Sequence, residues 1–346
     1  MRWFLLVVSL ATAASSFAQL QILSVSPSTV PTSGGTIVTL EVNHASDTCG
    51  PINCPVPTVY FGGVAAAETH ILNATTVTAR TPPMLPGTAA VTYKQGHEEA
   101  TWSRPFTITG PVPPAYERIL VPILVPPVHG AFGSKFHTEL HLGSKRAGYL
   151  LYGLDLLTCP IPEQTVCEPI PSPFTIPGGA QLASFEHVQM NGRPGRFIYV
   201  AKDSANDVAG NLRVFDVTRA ALNFGTEIPL VRGRDFDPVQ LTLYGVPADP
   251  RFRNTLRIYG VEAIAVKVTV EGHAPVEVVL HGGDSLYEPA YGEFTNFPAT
   301  GGPFRVTIEP PPPTGGVSPP IEYPVWAFIT VTNNETQVIS TITPQP

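Results

Sequence analysis

The segment GSKFHTELHLGS, residues 133–144, places three side chains that could bind a metal ion within five positions: His137, Glu139 and His141. Histidine nitrogens and carboxylate oxygens are common protein ligands of Zn²⁺. If the segment were a helix, the two histidines would lie on one face, as they do in zinc-binding helices. The conformation of this segment therefore decides whether metal chemistry is expected.

The apolar residues of this segment alternate with the polar ones, at Phe136, Leu140 and Leu142. Alternation and a Gly-Ser pair at each end favour a strand, with the apolar residues toward the core and the polar ones on a solvated face. Residues four apart on a strand are separated by about 13 Å, whereas metal ligands approach one ion to about 2.0–2.2 Å. The remaining metal hypothesis is an i, i+2 pair, His137 with Glu139, completed by a ligand from elsewhere.

The segment KDSANDVAGNL, residues 202–212, offers oxygen ligands of the kind that Ca²⁺ prefers. These are Asp203, Asn206, Asp207 and Asn211. Their spacing does not match the EF-hand loop. A hairpin turn whose Asp and Asn side chains accept hydrogen bonds from their own backbone accounts for the same residues, and we favour it. A structural Ca²⁺ is the alternative, and no other cofactor is expected.

The segment GGDSLYEPAYGEF, residues 282–294, combines acids with Tyr287 and Tyr291. Aromatic rings beside acids suit sugar binding, and they suit a packed loop equally well. The sequence contains neither a Gly-x-Ser-x-Gly elbow nor a phosphate-binding Gly-x-x-x-x-Gly-Lys-Ser/Thr loop. The separation of two carboxylates is a three-dimensional property, so a glycoside hydrolase stays open. We assign no catalytic residue.

The composition favours an all-β protein. The chain has 346 residues, enough for two or three domains. Its 20 Lys and Arg against 27 Asp and Glu give a net charge of −7, which argues against a nucleic-acid partner because such a partner needs a basic surface. The 39 prolines and 30 glycines, together with short segments rich in Val, Thr and Ile, favour short strands joined by proline-rich turns.

Residues 1–18 have the pattern of a secretory signal peptide. Arg2 precedes an apolar segment, and Ser16, Phe17 and Ala18 form a small-x-small cleavage site. An N-terminal membrane anchor is the less favoured alternative, because the apolar segment is short. We expect no transmembrane segment after removal of the signal. The predicted location is therefore secreted, periplasmic or at the cell surface.

The four cysteines form two close pairs, Cys49 with Cys54 and Cys159 with Cys167. Four cysteines allow three connectivities. Export to an oxidising compartment favours disulfides, and the short proline-containing loop within each pair favours Cys49–Cys54 and Cys159–Cys167. The alternative is a shared zinc site, which usually uses tighter Cys-x₂-Cys spacing.

The N-terminal segment is similar to a known family. The matching stretches are ILSVSPSTVPTSGGTIVTLEV, VYFGGVAAAETHILNATTVTARTPP and PGTAAVTY, in this order. They resemble the IPT/TIG domain, an immunoglobulin-like module. The cysteine-containing insert HASDTCGPINCPVPT departs from the usual form. The resemblance implies a β-sandwich that positions or binds and carries no shared active site. Some members contact DNA, which the export signal and the negative charge argue against here.

The predicted organisation is tandem β-sandwich modules. The signal peptide is followed by an IPT/TIG-like sandwich at 19–109, a linker at 110–115, and β-sandwiches at 116–223 and 224–346. The alternative is one larger β domain at 116–346. This C-terminal part resembles segments of secreted bacterial proteins of unassigned role.

The predicted function is that of a non-catalytic binding or adhesion protein of the cell envelope or exterior, with an extracellular protein or carbohydrate as its ligand. One alternative is a polysaccharide-acting enzyme with residues 116–346 catalytic and the first module accessory. The second alternative is a structural subunit of a surface assembly, in which strand edges pair between chains.

Overall fold

The fold is given by a computed structural model, which describes residues 19–46, 56–123, 128–154, 156–158, 167–170, 172–186, 188–189, 194–219, 224–313 and 321–344. In these ranges the chain consists of β-strands, turns and four single-turn 3₁₀ helices, at Ala131–Gly133, Ala205–Asp207, Val217–Arg219 and Gly233–Asp235. The predicted all-β class is confirmed. The chain divides into two compact units, residues 1–113 and 114–346, here called the N-terminal and C-terminal units.

The strands of the N-terminal unit are β1 (Ile22–Ser26), β2 (Thr29–Pro31), β3 (Ile37–Val42), β4 (Thr58–Phe61), β5 (Val64–Ala65), β6 (Glu68–Asn73), β7 (Thr76–Arg80), β8 (Gly87–Ala89), β9 (Val91–Gln95), β10 (Glu98–Thr101) and β11 (Phe106–Thr109). They form sheets in the orders β1-β3-β7-β6, β10-β9-β4-β5 and β2-β11-β8. Alternate residues of β3 and β4 are buried, including Leu40 and Phe61. The period-two pattern in the sequence therefore marks the inward face correctly.

A Gly-Gly pair between two strand-like segments predicts a tight hairpin turn, and Gly62-Gly63 forms that turn between β4 and β5. Both glycines have positive φ, 56° and 84°. Two-residue turns of this kind match the twist of the strands, and they need two residues that accept positive φ. The sequence therefore predicts this turn for a specific conformational reason.

The strands of the C-terminal unit are β12 (Tyr116–Val121), β13 (Val128–His129), β14 (Lys135–Ser144), β15 (Tyr149–Tyr152), β16 (Leu157–Thr158), β17 (Glu168–Pro169), β18 (Phe174–Ile176), β19 (Ala183–Phe185), β20 (Val188–Gln189), β21 (Arg196–Ala201), β22 (Val208–Asp216), β23 (Thr226–Pro229), β24 (Val231–Arg232), β25 (Leu241–Val246), β26 (Phe252–Gly260), β27 (Ala265–Val270), β28 (Val276–Val279), β29 (His281–Gly282), β30 (Ala290–Phe294), β31 (Phe304–Glu309), β32 (Val325–Asn333) and β33 (Ile339–Ile342). Their sheets are β18-β15-β21-β12-β24, β13-β14-β22-β23 with β19 beside β14, β17-β16-β20, β25-β31-β27-β28 and β29-β30-β26-β32-β33.

The last two of these sheets share one apolar core. Leu243, Val268 and Val306 from the first meet Ile258 and Ile329 from the second, all fully or almost fully buried. Two sheets that bury their inner faces against each other form a β-sandwich. The outer face of the first sheet stays available to solvent.

Strand pairs in the C-terminal unit cross residue 223, where the sequence suggested a boundary between modules. Leu212 on β22 lies opposite Ile228 on β23, and Leu120 on β12 lies opposite Val231 on β24. Residues 114–346 accordingly form one compact unit. The finer division into modules at 223 stays a prediction, as do the cleavage after Ala18 and the linker.

Candidate functional site

The segment that contains His137, Glu139 and His141 is a strand, β14. Leu140 and Leu142 are buried on its inner face, as expected. The expectation of a solvated opposite face is wrong at His137, which is only 3% exposed. His137 lies directly opposite Phe215 on β22. A directly opposed aromatic ring on the same face shields its neighbour from water.

The remaining polar side chains on this face form a continuous row across four strands, here called the polar row. His141 lies between Ser184 on β19, with Nδ1 3.0 Å from the serine Oγ, and Glu139, with Nε2 3.4 Å from Oε1. The other oxygen of Glu139 lies 3.8 Å from Arg213, which lies 3.5 Å from Glu227 on β23. Arg213 therefore lies between the two carboxylates of the row.

The polar row contains a hydroxyl, an imidazole and a carboxylate in the order of a nucleophilic triad. In serine proteases the imidazole Nε2 faces the serine and Nδ1 faces the acid. Here the ring is turned the other way. Glu139 is also drawn toward Arg213. We assign the row to the stabilisation of this sheet surface, and a metal bound by His137 and Glu139 stays a prediction.

Asp207, from the loop proposed to bind Ca²⁺, is held by cations of the chain itself. Its Oδ2 accepts hydrogen bonds from Arg146 at 2.8 Å and from the Tyr149 hydroxyl at 2.8 Å, and Lys145 lies 3.6 Å from Oδ1. The hydrogen bond from Arg146, followed by that from Tyr149, lowers the pKa of Asp207. The carboxylate therefore stays ionised and is already compensated.

The other three residues of this set have separate partners or positions. Asp203 accepts a hydrogen bond from the Ser204 hydroxyl at 2.9 Å, and Asn206 accepts one from Arg234 at 3.3 Å. Asn211 lies within β22, in a strand rather than in the loop. Among the described residues, no group of three or more His, Cys, Asp or Glu side chains is placed to hold a metal ion. Calcium binding stays a prediction.

Cys49, Cys54 and Cys159 lie outside the described residues, as does the predicted signal peptide. The two disulfide pairings therefore stay predictions. No helix of the described part of the chain is long and apolar enough to cross a membrane.

Tyr287, in the loop before β30, and Tyr291, within β30, pack against neighbouring side chains. Tyr287 packs edge-on against Tyr199 with ring centroids 5.9 Å apart, and the Arg196 guanidinium lies 5.2 Å from its ring. Tyr291 packs on Tyr259 at 5.1 Å. These contacts fit the packed-loop interpretation of this segment.

The sequence did not single out the outer face of the sheet β25-β31-β27-β28. Lys267 on β27 lies opposite Glu309 on β31 and opposite Glu277 on β28. The Lys267 ammonium lies 2.8 Å from the Glu309 carboxylate, and both side chains are partly exposed. Three charged side chains thus form one line across three strands.

This charged line forms the floor of a groove of about 640 Å³, here called the outer groove. Its apolar walls consist of Pro238, Val239, Pro275, Val276 and the proline run 310–313. Val239 is 74% exposed and Val276 is 44% exposed, so the walls present apolar side chains to solvent. A concave surface with apolar walls and a few polar groups has the composition of a ligand site, and its volume lies within the range of about 300–1,000 Å³ typical of such sites.

The outer groove could have been found only in part from the sequence. The alternation in AVKVTV and FRVTIE places Lys267 and Glu309 on solvent-facing positions of strands. The run of prolines after Glu309 marks a stiff extended segment. The strand register that aligns these residues across three strands is a long-range property.

The comparisons with known proteins identify the N-terminal module. Residues 20–109 match the IPT/TIG domain family, which confirms the resemblance and its position. No curated protein matches the chain. Among solved structures, one described as being with xylogluco-oligosaccharide is similar at 8% identity and a TM-score of 0.19, covering 94% of this chain and 80% of that one. A TM-score of this size does not establish a shared fold.

Proposed function

We propose that this protein is an exported, non-catalytic binding protein whose outer groove binds a neutral polysaccharide. The observation that carries the proposal is the outer groove itself, with its apolar walls and its charged floor on an outward sheet face. The IPT/TIG domain at residues 20–109 would serve as the accessory module. Export rests on the signal-peptide pattern of residues 1–18.

The apolar walls and the charged floor of the groove suit the C–H groups and the hydroxyl groups of a sugar ring. Proline and valine walls pack against C–H groups, since their contact removes apolar area from water. Hydroxyl groups of the sugar donate hydrogen bonds to Glu277 and Glu309 and accept them from Lys267. Bonds that involve a charged partner are about twice as strong as those between neutral groups.

The charge of the floor favours a neutral chain over an acidic one. Two carboxylates, Glu277 and Glu309, lie with a single ammonium, that of Lys267. A polymer with carboxylates or sulfates would meet this net negative charge at short range, where like charges repel. The chain also carries a net charge of −7, which adds to that repulsion.

The test is a binding assay of the purified protein on neutral and acidic polysaccharides, with a variant carrying Val239→Asp and Val276→Asp. These substitutions place two charges on the apolar walls, and we expect retention on the preferred neutral polymer to fall by about tenfold or more. The matched control is Leu182→Asp, because Leu182 is 67% exposed and lies outside the groove.

Equal retention of the groove variant and the wild type would overturn the assignment of the groove. Preferential binding of an acidic polymer would overturn the ligand class. Release of shortened sugars during incubation would overturn the non-catalytic assignment in favour of the enzyme alternative. Binding to no polysaccharide at all would leave a protein ligand or a structural role as the better description.

A further inference from the structure

Arg118, on β12, packs its charged guanidinium against two aromatic rings. Its guanidinium lies 4.8 Å from the centre of the Phe197 ring and 5.8 Å from that of Phe236. Contacts of this kind use the flat faces of the guanidinium, while its N–H donors lie around the edge. The aromatic rings therefore position the group without using its hydrogen-bonding capacity.

The charge of Arg118 has no carboxylate partner within ion-pair distance among the described residues. The Tyr199 hydroxyl lies beside the guanidinium, and Nε is buried without a hydrogen-bond partner in the described part of the chain. Burial lowers the pKa of Arg118. A half-buried positive charge without a counter-charge is partly desolvated, and an anion placed against it would recover part of that cost.

A pocket of about 150 Å³ adjoins this side chain, here called the Arg118 pocket. It is lined by Arg118, Val261, Glu262, Ile264, Glu322, Tyr323 and Pro324. Glu262 and Glu322 are exposed, whereas Arg118 is half-buried, so the two acids lie nearer the solvent than the guanidinium does. The pocket thus carries positive charge inside and negative charge toward its mouth.

We propose that the Arg118 pocket binds a small free α-amino acid, with its carboxylate on Arg118 and its ammonium group at Glu262 and Glu322. A carboxylate matches the edge of a guanidinium in geometry and charge. A plain anion would have to pass two carboxylates, whereas a zwitterion gains from both signs. At about 30 Å³ for one water, the pocket holds the volume of about five waters, which limits the ligand to small side chains.

The test is titration of the full chain with glycine, alanine, acetate, methylamine and phenylalanine, followed by calorimetry or NMR. We expect glycine and alanine to bind more tightly than acetate or methylamine, and phenylalanine to be excluded by size. Arg118→Met keeps an unbranched apolar stem and removes the charge. We expect it to weaken glycine binding by about tenfold or more, since a charged hydrogen-bonded pair is lost.

A second variant keeps the inference falsifiable if Arg118→Met perturbs the fold. Glu262→Gln with Glu322→Gln changes only exposed side chains, and it should weaken glycine binding while strengthening acetate binding. The matched control is Arg234→Gln, which removes an exposed arginine outside the pocket. Equal affinities for glycine and acetate in the wild type, no binding of glycine, or unchanged binding in both variants would overturn the proposal.

This inference does not rest on the polysaccharide function. The Arg118 pocket and the outer groove share no residue. Loss of polysaccharide binding in the Val239 and Val276 variant should leave glycine binding unchanged. Each proposal can therefore fail in its own binding assay while the other still holds.

Discussion

The two units of the chain differ in how far their charged side chains are exposed to solvent. In the N-terminal unit, ion pairs such as Arg80 with Glu68 and Lys94 with Glu99 have all four side chains between 42% and 53% exposed. In the C-terminal unit, His137, Arg196 and Asp216 are at most 7% exposed. Every buried Asp, Glu, Lys, Arg or His side chain in the described part of the chain lies in the C-terminal unit.

This difference separates a unit held by its apolar core alone from a unit that also buries charged side chains. A buried charge is retained at a cost unless its partners are in place, so a unit without buried charges is held by its apolar core. The N-terminal unit has such a core, in which Phe61 and Phe106 pack with ring centroids 5.2 Å apart. The C-terminal unit combines a similar core with buried charges and carries the two proposed binding sites.

Among the substitutions that test this comparison, Asp216→Ala in the C-terminal unit should lower the free energy of unfolding the most. Asp216 is 2% exposed and accepts hydrogen bonds from the Lys135 N–H at 3.0 Å, the Thr218 hydroxyl at 2.7 Å and Arg219 at 2.5 Å. Its removal takes away the acceptor of these three hydrogen bonds, and we expect a loss of about 3 kcal/mol in the free energy of unfolding. Hydrogen exchange, read by mass spectrometry as urea increases, should show earlier opening of β14 and β22.

The same measurement contains its own controls. Peptides of the N-terminal unit should open at an unchanged urea concentration. Asp249→Ala removes a carboxylate that also binds an arginine, Arg251, but at the surface, and it should leave the opening of β14 unchanged. If Asp216→Ala and Asp249→Ala had equal effects, burial would not be the cause and the comparison would fail.

A second prediction concerns the stability of the C-terminal unit at acidic pH. Burial raises the pKa of Asp216, but hydrogen bonds from Lys135, Thr218 and Arg219 outweigh it, and the net pKa is lowered. A carboxyl group with a lowered folded-state pKa stabilises the fold above its unfolded-state pKa of about 3.9, and that contribution is lost as the pH falls toward the folded value. Below about pH 4, the opening of β14 should therefore depend less steeply on pH in Asp216→Asn than in the wild type. Parallel slopes in the two proteins would contradict the assigned role.

A third prediction compares one buried tyrosine in each unit. Tyr259 accepts a hydrogen bond from the Ile123 N–H at 3.2 Å, and Tyr93 donates one to the Gln95 amide oxygen at 3.0 Å. Tyr259→Phe leaves a buried N–H without its acceptor, which costs about 1–3 kcal/mol. Tyr93→Phe should cost about 1 kcal/mol or less, since the Gln95 oxygen also accepts from the Ser46 N–H.

Urea denaturation of the two phenylalanine variants, followed by exchange of peptides from each unit, measures both costs. Each substitution should affect the opening of its own unit. A larger cost for Tyr93→Phe than for Tyr259→Phe would contradict this prediction, because the N-terminal core would then depend on its buried tyrosine hydroxyl more than the C-terminal core does.

Local patterns were enough to predict the elements of the fold. The alternation around Leu140 and Leu142 predicted β14, and the Gly62-Gly63 pair predicted its turn. Both depend on residues adjacent in sequence, whose geometry follows from strand pleat and backbone sterics. The IPT/TIG module was recognised for the same reason, since its turns occur in a fixed order.

The positions of the proposed sites could not be predicted in this way. The burial of His137 depends on β22, and the outer groove depends on the register that aligns Lys267 with Glu309. The Arg118 pocket joins residues from three segments far apart in the chain, including Glu262 and Glu322. The register of the strands, and which distant segments of the chain meet, depend on packing throughout the core. The spacing of residues in the sequence therefore does not reveal them.

The smallest expected effect is that of Glu68→Gln in the N-terminal unit. Glu68 lies 3.2 Å from Arg80 on the neighbouring strand, with both side chains about half exposed. Water solvates both groups well and salt screens their attraction, so exposed pairs of this kind contribute little to stability. We expect no measurable change in the urea midpoint of the N-terminal unit at physiological salt, and at most a slight decrease at low salt. A clear loss of stability at physiological salt would mean that this unit also depends on specific ion pairs, and the contrast with Asp216 would no longer distinguish the two units.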